Sequence, residues 1–176
     1  MIRTRMVVLA LCSMLVGCSV AAEPGMPSSA MELLNQLRGT WVLRGTIAGK
    51  PTTHDIQAAW VLNHEYLQLH ETSRERNAGG GPAYEAIIYI GWDSKARQYT
   101  CLWLDSTSGE GLSTEVIGRA NQAEDAIPFV FRLSPADQIQ TTFRYDKSTD
   151  SWQWLIDNVV NGNSKLFADV KLSRRR

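Results

Sequence analysis

The side chains able to do chemistry in this chain are few and scattered. It carries three histidines in 176 residues: His54, His64 and His70. His64 and His70 are six positions apart, so on one strand they would share a face about 20 Å from each other. That is too far for one metal ion. The chain has no Cys/His spacing of the zinc type and no His-Glu-x-x-His helix, so no metal site is expected. His64 reads as a turn residue. His70 points either into an interior or outward beside Glu71.

Glu85 stands at the start of a strongly apolar run. A carboxylate facing a dry interior must be paired or protonated. Glu85 is therefore the candidate for gripping the polar end of a ligand, or for acid–base work together with His70. The alternative is a solvent-facing strand position. Asp105 and Glu115 pose the same question. No catalytic constellation is expected: Glu110 takes the serine position in Gly109-Glu110-Gly111-Leu112-Ser113, with no strand-to-helix turn after it. Gly79-Gly80-Gly81 lacks the following helix whose amides would bind phosphate.

Six tryptophans and five tyrosines supply apolar surface with a polar tip. Trp60, Tyr66, Tyr89 and Trp103, with His70 and Glu85, form the candidate ligand-binding set. Each aromatic is also open to plain core packing, as are Trp92, Trp152 and Trp154.

These residues need a scaffold, and the turn chemistry predicts one. Ser29-Ala30-Met31-Glu32 matches a capping box. A short helix follows, with Leu33, Leu34 and Leu37 on one side, and Gly39 stops it. Beyond Thr40 no helix signal recurs. Ten runs have strand character: 40–47, 52–61, 65–74, 83–92, 97–105, 112–120, 127–134, 138–146, 150–158 and 164–172. Gly49-Lys50-Pro51, Asp93-Ser94, Ser134-Pro135 and Asn161-Gly162 are among the breaks. Short strands joined by tight hairpins leave no room for crossover helices. The expected fold is all-β, a closed antiparallel up-and-down barrel of about ten strands with one short N-terminal helix, because closure removes exposed strand edges. The inward face of each strand stays open, since a slip of one residue reverses every assignment.

The first residues give an address. Arg3 and Arg5 precede the apolar run Met6–Val16, the layout of a secretory signal. The run is shorter than the roughly 20 residues of a spanning helix. Leu15-Val16-Gly17-Cys18 resembles the bacterial lipobox, which implies cleavage before Cys18 and lipidation of its thiol. Val20-Ala21-Ala22 is the competing site, for ordinary cleavage. The expected organisation is a lipoprotein signal at 1–17, a tether at 18–28 and a barrel domain at 29–173. Ser19 after the cysteine implies, by the same resemblance, passage to the outer membrane, so the expected location is the bacterial cell envelope, anchored in the periplasm. Lipidated Cys18 makes the membrane the first partner. Two of the 18 basic residues lie in the signal, leaving a mature charge of about −2. No basic stripe is interleaved with aromatics, so no nucleic-acid partner is expected. Cys12 leaves with the signal and Cys18 is acylated, so Cys101 stands alone and no internal disulfide is expected.

Gly39-Thr40-Trp41, after a short helix and opening the first strand, resembles the Gly-x-Trp start of lipocalins. The resemblance implies a tryptophan plugging the closed base of a calycin-type barrel, covered by a cation from the last strand: Lys171 or Arg174, with Arg174 preferred. Ala59 to Leu67 and Tyr84 to Asp93 look like the second hairpin and fourth strand of a family of bacterial lipocalin-like domains of unknown function. The likeness covers Leu33 to Leu172 and departs at Asn63-His64, where that family carries a glycine-bearing turn. A more distant likeness is to nitrobindin-type barrels, which hold ferric haem through a histidine near the final strand. The final strand here, Lys165 to Leu172, has none, so haem is disfavoured and no cofactor is expected unless His64 or His70 substitutes. The reading that follows is a membrane-anchored barrel binding a hydrophobic or amphipathic small molecule. The alternatives are a protein-binding scaffold with a filled barrel, or an enzyme using Glu85 and His70.

Overall fold

The computed structural model describes residues 25–107 and 111–175; the expected signal, Cys18 and most of the tether lie outside them. Helix α1 (Ser28–Leu37) is followed by β1 (Gly39–Ile47), β2 (Lys50–Val61), β3 (Tyr66–Ser73), β4 (Glu85–Asp93) and β5 (Gln98–Asp105). A single 3-10 turn (Thr114–Val116) then leads into β6 (Ile117–Ala120), β7 (Ala126–Arg132), β8 (Asp137–Asp146), β9 (Ser151–Val160) and β10 (Asn163–Arg174). Each strand pairs antiparallel with its sequence neighbours, and β10 pairs with β1 to close a ten-stranded barrel. The expected fold class is the observed one.

Two local expectations need correction. The capping box does not form: the N-cap is Pro27, two residues before Ser29, and α1 has no side-chain cap. Proline's fixed φ and missing N–H suit a helix start without one. The sixth strand is shorter than the run 112–120. Ser113 caps the 3-10 turn by accepting from the Glu115 amide, so extended pairing starts only at Ile117.

Period-two alternation sorts the side chains. On β3, Leu67, Leu69, Glu71 and Ser73 are buried while Tyr66, Gln68, His70 and Thr72 are not. On β4, Ala86, Ile88 and Ile90 face in. The β2–β3, β4–β5, β6–β7 and β8–β9 hairpins lie at one end of the barrel, and the helix seals that end. Leu33, Leu34 and Leu37 are buried against Trp41, Tyr99, Phe129 and Trp152 in one continuous core. The polar tips of these plugging aromatics are satisfied by the helix. Trp41 Nε1 donates to Leu37 O at 2.7 Å, Tyr99 Oη to Ala30 O at 3.0 Å, and Trp152 Nε1 to Gln36 O at 3.5 Å.

Arg174 completes the seal. Its guanidinium lies over the Trp41 ring, 3.9 Å from the centroid. It donates to Gln36 O at 2.9 Å, to Arg38 O at 2.5 Å and to Asp150 Oδ2 at 2.9 Å. One side chain thus joins the last strand, the first strand, the carbonyl end of α1 and the β8–β9 turn. Lys171 lies on the outward phase of β10 and is exposed. Gly39 has φ +126°, and a Cβ there would fall 2.6 Å from the Arg174 Nη1, so glycine is required both for the turn and for the guanidinium's approach.

Arg174→Ala is expected to lower stability by about 2–4 kcal/mol in urea unfolding, from a lost cation–π contact and several charged hydrogen bonds; a change under half of that would mean the seal does not depend on it. The hydrogen bond from Arg174 holds the Asp150 carboxyl below its ordinary value of 3.8. A depressed native pKa gives stability that is complete above the unfolded value and is lost as pH falls. The stability gap between the native protein and Asp150→Asn should therefore be full at neutral pH and close below about pH 4.

Candidate functional site

The other end of the barrel, carrying the β1–β2, β3–β4, β5–β6, β7–β8 and β9–β10 connections, opens into a cavity of about 830 Å³. Its walls are Leu43 and Ile47 from β1, Trp103 from β5, Phe131 from β7, Ile139 and Thr141 from β8, Trp154 and Ile156 from β9, and Val170 from β10. Phe143 stacks on Trp154 with centroids 4.4 Å apart, and Trp103 meets Trp154 edge-on at 6.3 Å. Trp103 and Trp154 lie at the inner end of the cavity, and from there toward α1 the side chains belong to one buried core.

One wall is polar. Inward phase on β2 and β3 brings His54 opposite Ser73, with Glu71 two residues along. His54 and Glu71 are each 3% exposed, and His54 Nδ1 lies 2.5 Å from Glu71 Oε1. The other ring nitrogen, Nε2, lies 2.8 Å from Thr52 Oγ1. Both ring nitrogens of His54 are therefore engaged, one by a carboxylate and one by a hydroxyl. Thr52 Oγ1 is also 3.3 Å from Glu75 Oε2, and Ser73 Oγ donates to the same oxygen at 2.6 Å. Those bonds, Ser73's first, hold the Glu75 carboxyl below its ordinary range. Tyr84 stacks on His54 at 5.6 Å and accepts from Trp103 Nε1 at 3.1 Å. Burial, with Glu71 and Asp105 near it, pushes the Tyr84 phenol up. Chemically, the wall offers an imidazole clamped at both nitrogens and a row of hydrogen-bond acceptors.

Of the six side chains expected to bind a ligand, Trp103 alone lines this cavity. Trp60 is in the inward phase but lies at the sealed end, donating to Asn35 Oδ1 at 2.7 Å. Tyr66 is 43% exposed on the outer face, its ring covering the space a Cβ at Gly91 would occupy. Tyr89 lies on the outward phase of β4 and accepts from Gln68 Nε2 at 2.9 Å. His70 and Glu85 do meet, Nε2 to Oε1 at 2.7 Å, but outside the barrel, with side chains 42% and 49% exposed. An exposed pair of this kind is worth about 0–1 kcal/mol. The interior pair is the one next to it, a register step away. Leu67 and Leu69 carry the signal that would have found it: their aliphatic phase runs on through Glu71 and Ser73.

Cys101 is fully buried below the cavity, and burial pushes its thiol up; it is a packing residue. No group of three or more His, Cys, Asp or Glu side chains among the described residues is arranged to hold a metal. Trp154 is different from the other indoles. It is 1% exposed, and among the described residues its Nε1 meets no acceptor. An unmade hydrogen bond at a buried donor costs about 1–3 kcal/mol.

No family model and no curated protein matches the chain. Among solved structures it is similar to the crystal structure of Rv2717c from M. tuberculosis, at TM-score 0.54 and 14% identity, over 86% of this chain and 99% of that one. A likeness at that identity shows the shared barrel fold.

Two outcomes are expected. His54→Leu, which strands Glu71, should cost about 3 kcal/mol, while His54→Leu combined with Glu71→Leu should recover most of it; equal losses in single and double variants would mean the pair is not coupled. Trp154→Phe, which removes the orphan donor, should cost less than about 1 kcal/mol in the ligand-free protein despite the lost ring area, read by urea unfolding.

Proposed function

We propose that the barrel carries a hydrophobic or amphipathic small molecule, held in the open half of its interior with the apolar part on the Trp103–Phe131–Trp154 floor and the polar end on the His54–Glu71 wall. The observation behind this reading is a hollow of about 830 Å³ that combines aromatic walls with a few buried polar groups, the usual form of a small-molecule site. Leu133 and Phe167, 41% and 38% exposed at the rim, offer an apolar entrance. The lipocalin-like likeness of Gly39-Thr40-Trp41 agrees with the same role. The sealed lower half supplies the rigid frame such a carrier needs.

We further propose that Cys18 bears the lipid and holds the carrier at the bacterial envelope, with the membrane as its first partner; the support is the lipobox-like Leu15-Val16-Gly17-Cys18. Haem is not part of this reading. Both nitrogens of His54 are engaged, and neither His64 nor His70 lines the cavity, so the residues present do not fit an axial ligand.

The test is displacement of a neutral apolar dye, N-phenyl-1-naphthylamine, from the purified full chain. The dye should brighten on binding, and Ala168→Phe, which fills the cavity from β10, should reduce binding about tenfold or more, in line with a lost apolar pocket. Unaltered dye binding in a folded Ala168→Phe variant would refute the location. A Soret band in the purified protein would refute the exclusion of haem. Cys18→Ser should lose the acyl mass and leave the membrane fraction; unchanged mass and fractionation would refute the anchor.

A further inference from the structure

The cavity has a sign. Glu75, Asp105 and Glu115 line it together with the His54–Glu71 pair, and Lys50 is the one lysine or arginine among its described lining residues. The Glu75 carboxyl, held low by the Ser73 hydroxyl, is charged at neutral pH. Asp105 takes the inward phase of β5 directly beyond Trp103, where its Oδ1 accepts from the Thr107 amide at 2.7 Å. Glu75 is exposed and Asp105 and Glu115 are half-buried, so the acidic groups sit at the mouth of the hollow, where their field is felt by a charge entering it. Ring faces attract cations through their quadrupole and do not attract anions. A separate observation marks the hollow as built for a guest: the buried Trp154 N–H, in the same wall, has no acceptor among the described residues, a donor for an oxygen on the cargo's body and not for its ammonium, which has no lone pair to accept with.

We propose that the cargo is an organic cation, an amine or ammonium group on an apolar body, and that fatty-acid-like anions are rejected. This deepens the carrier reading and rests on it. A carboxylate headgroup entering the hollow would meet Glu75, Asp105 and Glu115, with Lys50 the one basic side chain among the described lining residues to offset them. An ammonium headgroup would replace its lost water by hydrogen bonds to the same acidic side chains and by the faces of Trp103 and Tyr84. The apolar tail then lies on the floor below.

Three probes with the same ten-carbon chain separate the possibilities: decylamine, decanol and decanoate, each competed against N-phenyl-1-naphthylamine on the full chain. Decylamine should displace the dye at a concentration about tenfold or more below decanoate, with decanol between them, as expected for one unit charge in a partly screened site. The preference should shrink as salt rises, while decanol should not respond. Glu75→Gln and Asp105→Asn, checked for unchanged unfolding midpoints, should each weaken decylamine and strengthen decanoate; Glu115→Gln, half-buried at the 3-10 turn, serves as the second variant if either fails to fold. Decanoate equal to or tighter than decylamine would overturn the charge preference and leave the carrier reading standing. Failure of all three probes and of the dye itself would overturn the carrier reading, and this inference with it.

Discussion

The guanidinium of Arg174 over the indole of Trp41 is the contact on which the architecture turns. A ten-stranded antiparallel sheet removes its edges only if its last strand finds its first, and β10 meets β1 along a register running from Trp41 opposite Arg174 to Ile47 opposite Ala168. At the end of that register the chain must also bury a helix whose final carbonyls have no intrahelical partner. Arg174 supplies donors to two of them and presents its face to Trp41 at once. Arginine's planar fork suits this double duty, whereas a lysine ammonium would serve one partner well. Because that end is locked by side-chain chemistry, the opposite end is free to stay unfilled.

Polar satisfaction divides the interior along the same line. At the sealed end Trp41, Tyr99 and Trp152 each reach a helix carbonyl. At the open end no α-helix among the described residues receives them. Trp103 is served by Tyr84, and Trp154, one strand position pair above Trp152, is served by nothing described. The two tryptophans are chemically identical and share the inward phase of β9; what distinguishes them is whether a backbone lies across from them. The hollow is thus the region where the helix no longer supplies packing or hydrogen bonds.

Much of the fold was legible because turn residues are local. Asp93-Ser94, Ser134-Pro135 and Asn161-Gly162 break the chain wherever it breaks in space, and the strand count followed from them. What was not legible depended on partners far away in sequence. Ser29 and Glu32 look like a capping box, but Pro27 starts the helix two residues too early for it. Ser113 reads as strand until its side chain captures the Glu115 amide. The site suffered most, because phase is a non-local property. His70 and Glu85 are adjacent across β3 and β4 as a pair, so the choice of an acidic group with an imidazole was chemically sound, yet it fell on the outer face. Leu67 and Leu69 fix the phase of β3, and the phase of β4 follows from Ala86, Ile88 and Ile90; with both in hand Glu85 must point out and Glu71 in.

A buried histidine–glutamate pair in an apolar hollow is expensive to desolvate, and such pairs add little to stability compared with well-packed hydrophobes. Stability therefore does not explain why His54 and Glu71 occupy positions whose neighbours in phase, Ile56 and Leu69, are aliphatic and fully buried. The polar wall extends outward through Thr52, Ser73 and Glu75 toward the mouth, in continuous contact and in one direction. A network placed for packing would be closed on itself in the core. This one begins at the floor of the hollow and ends at its opening, which is the arrangement that a molecule entering from that side would meet group by group.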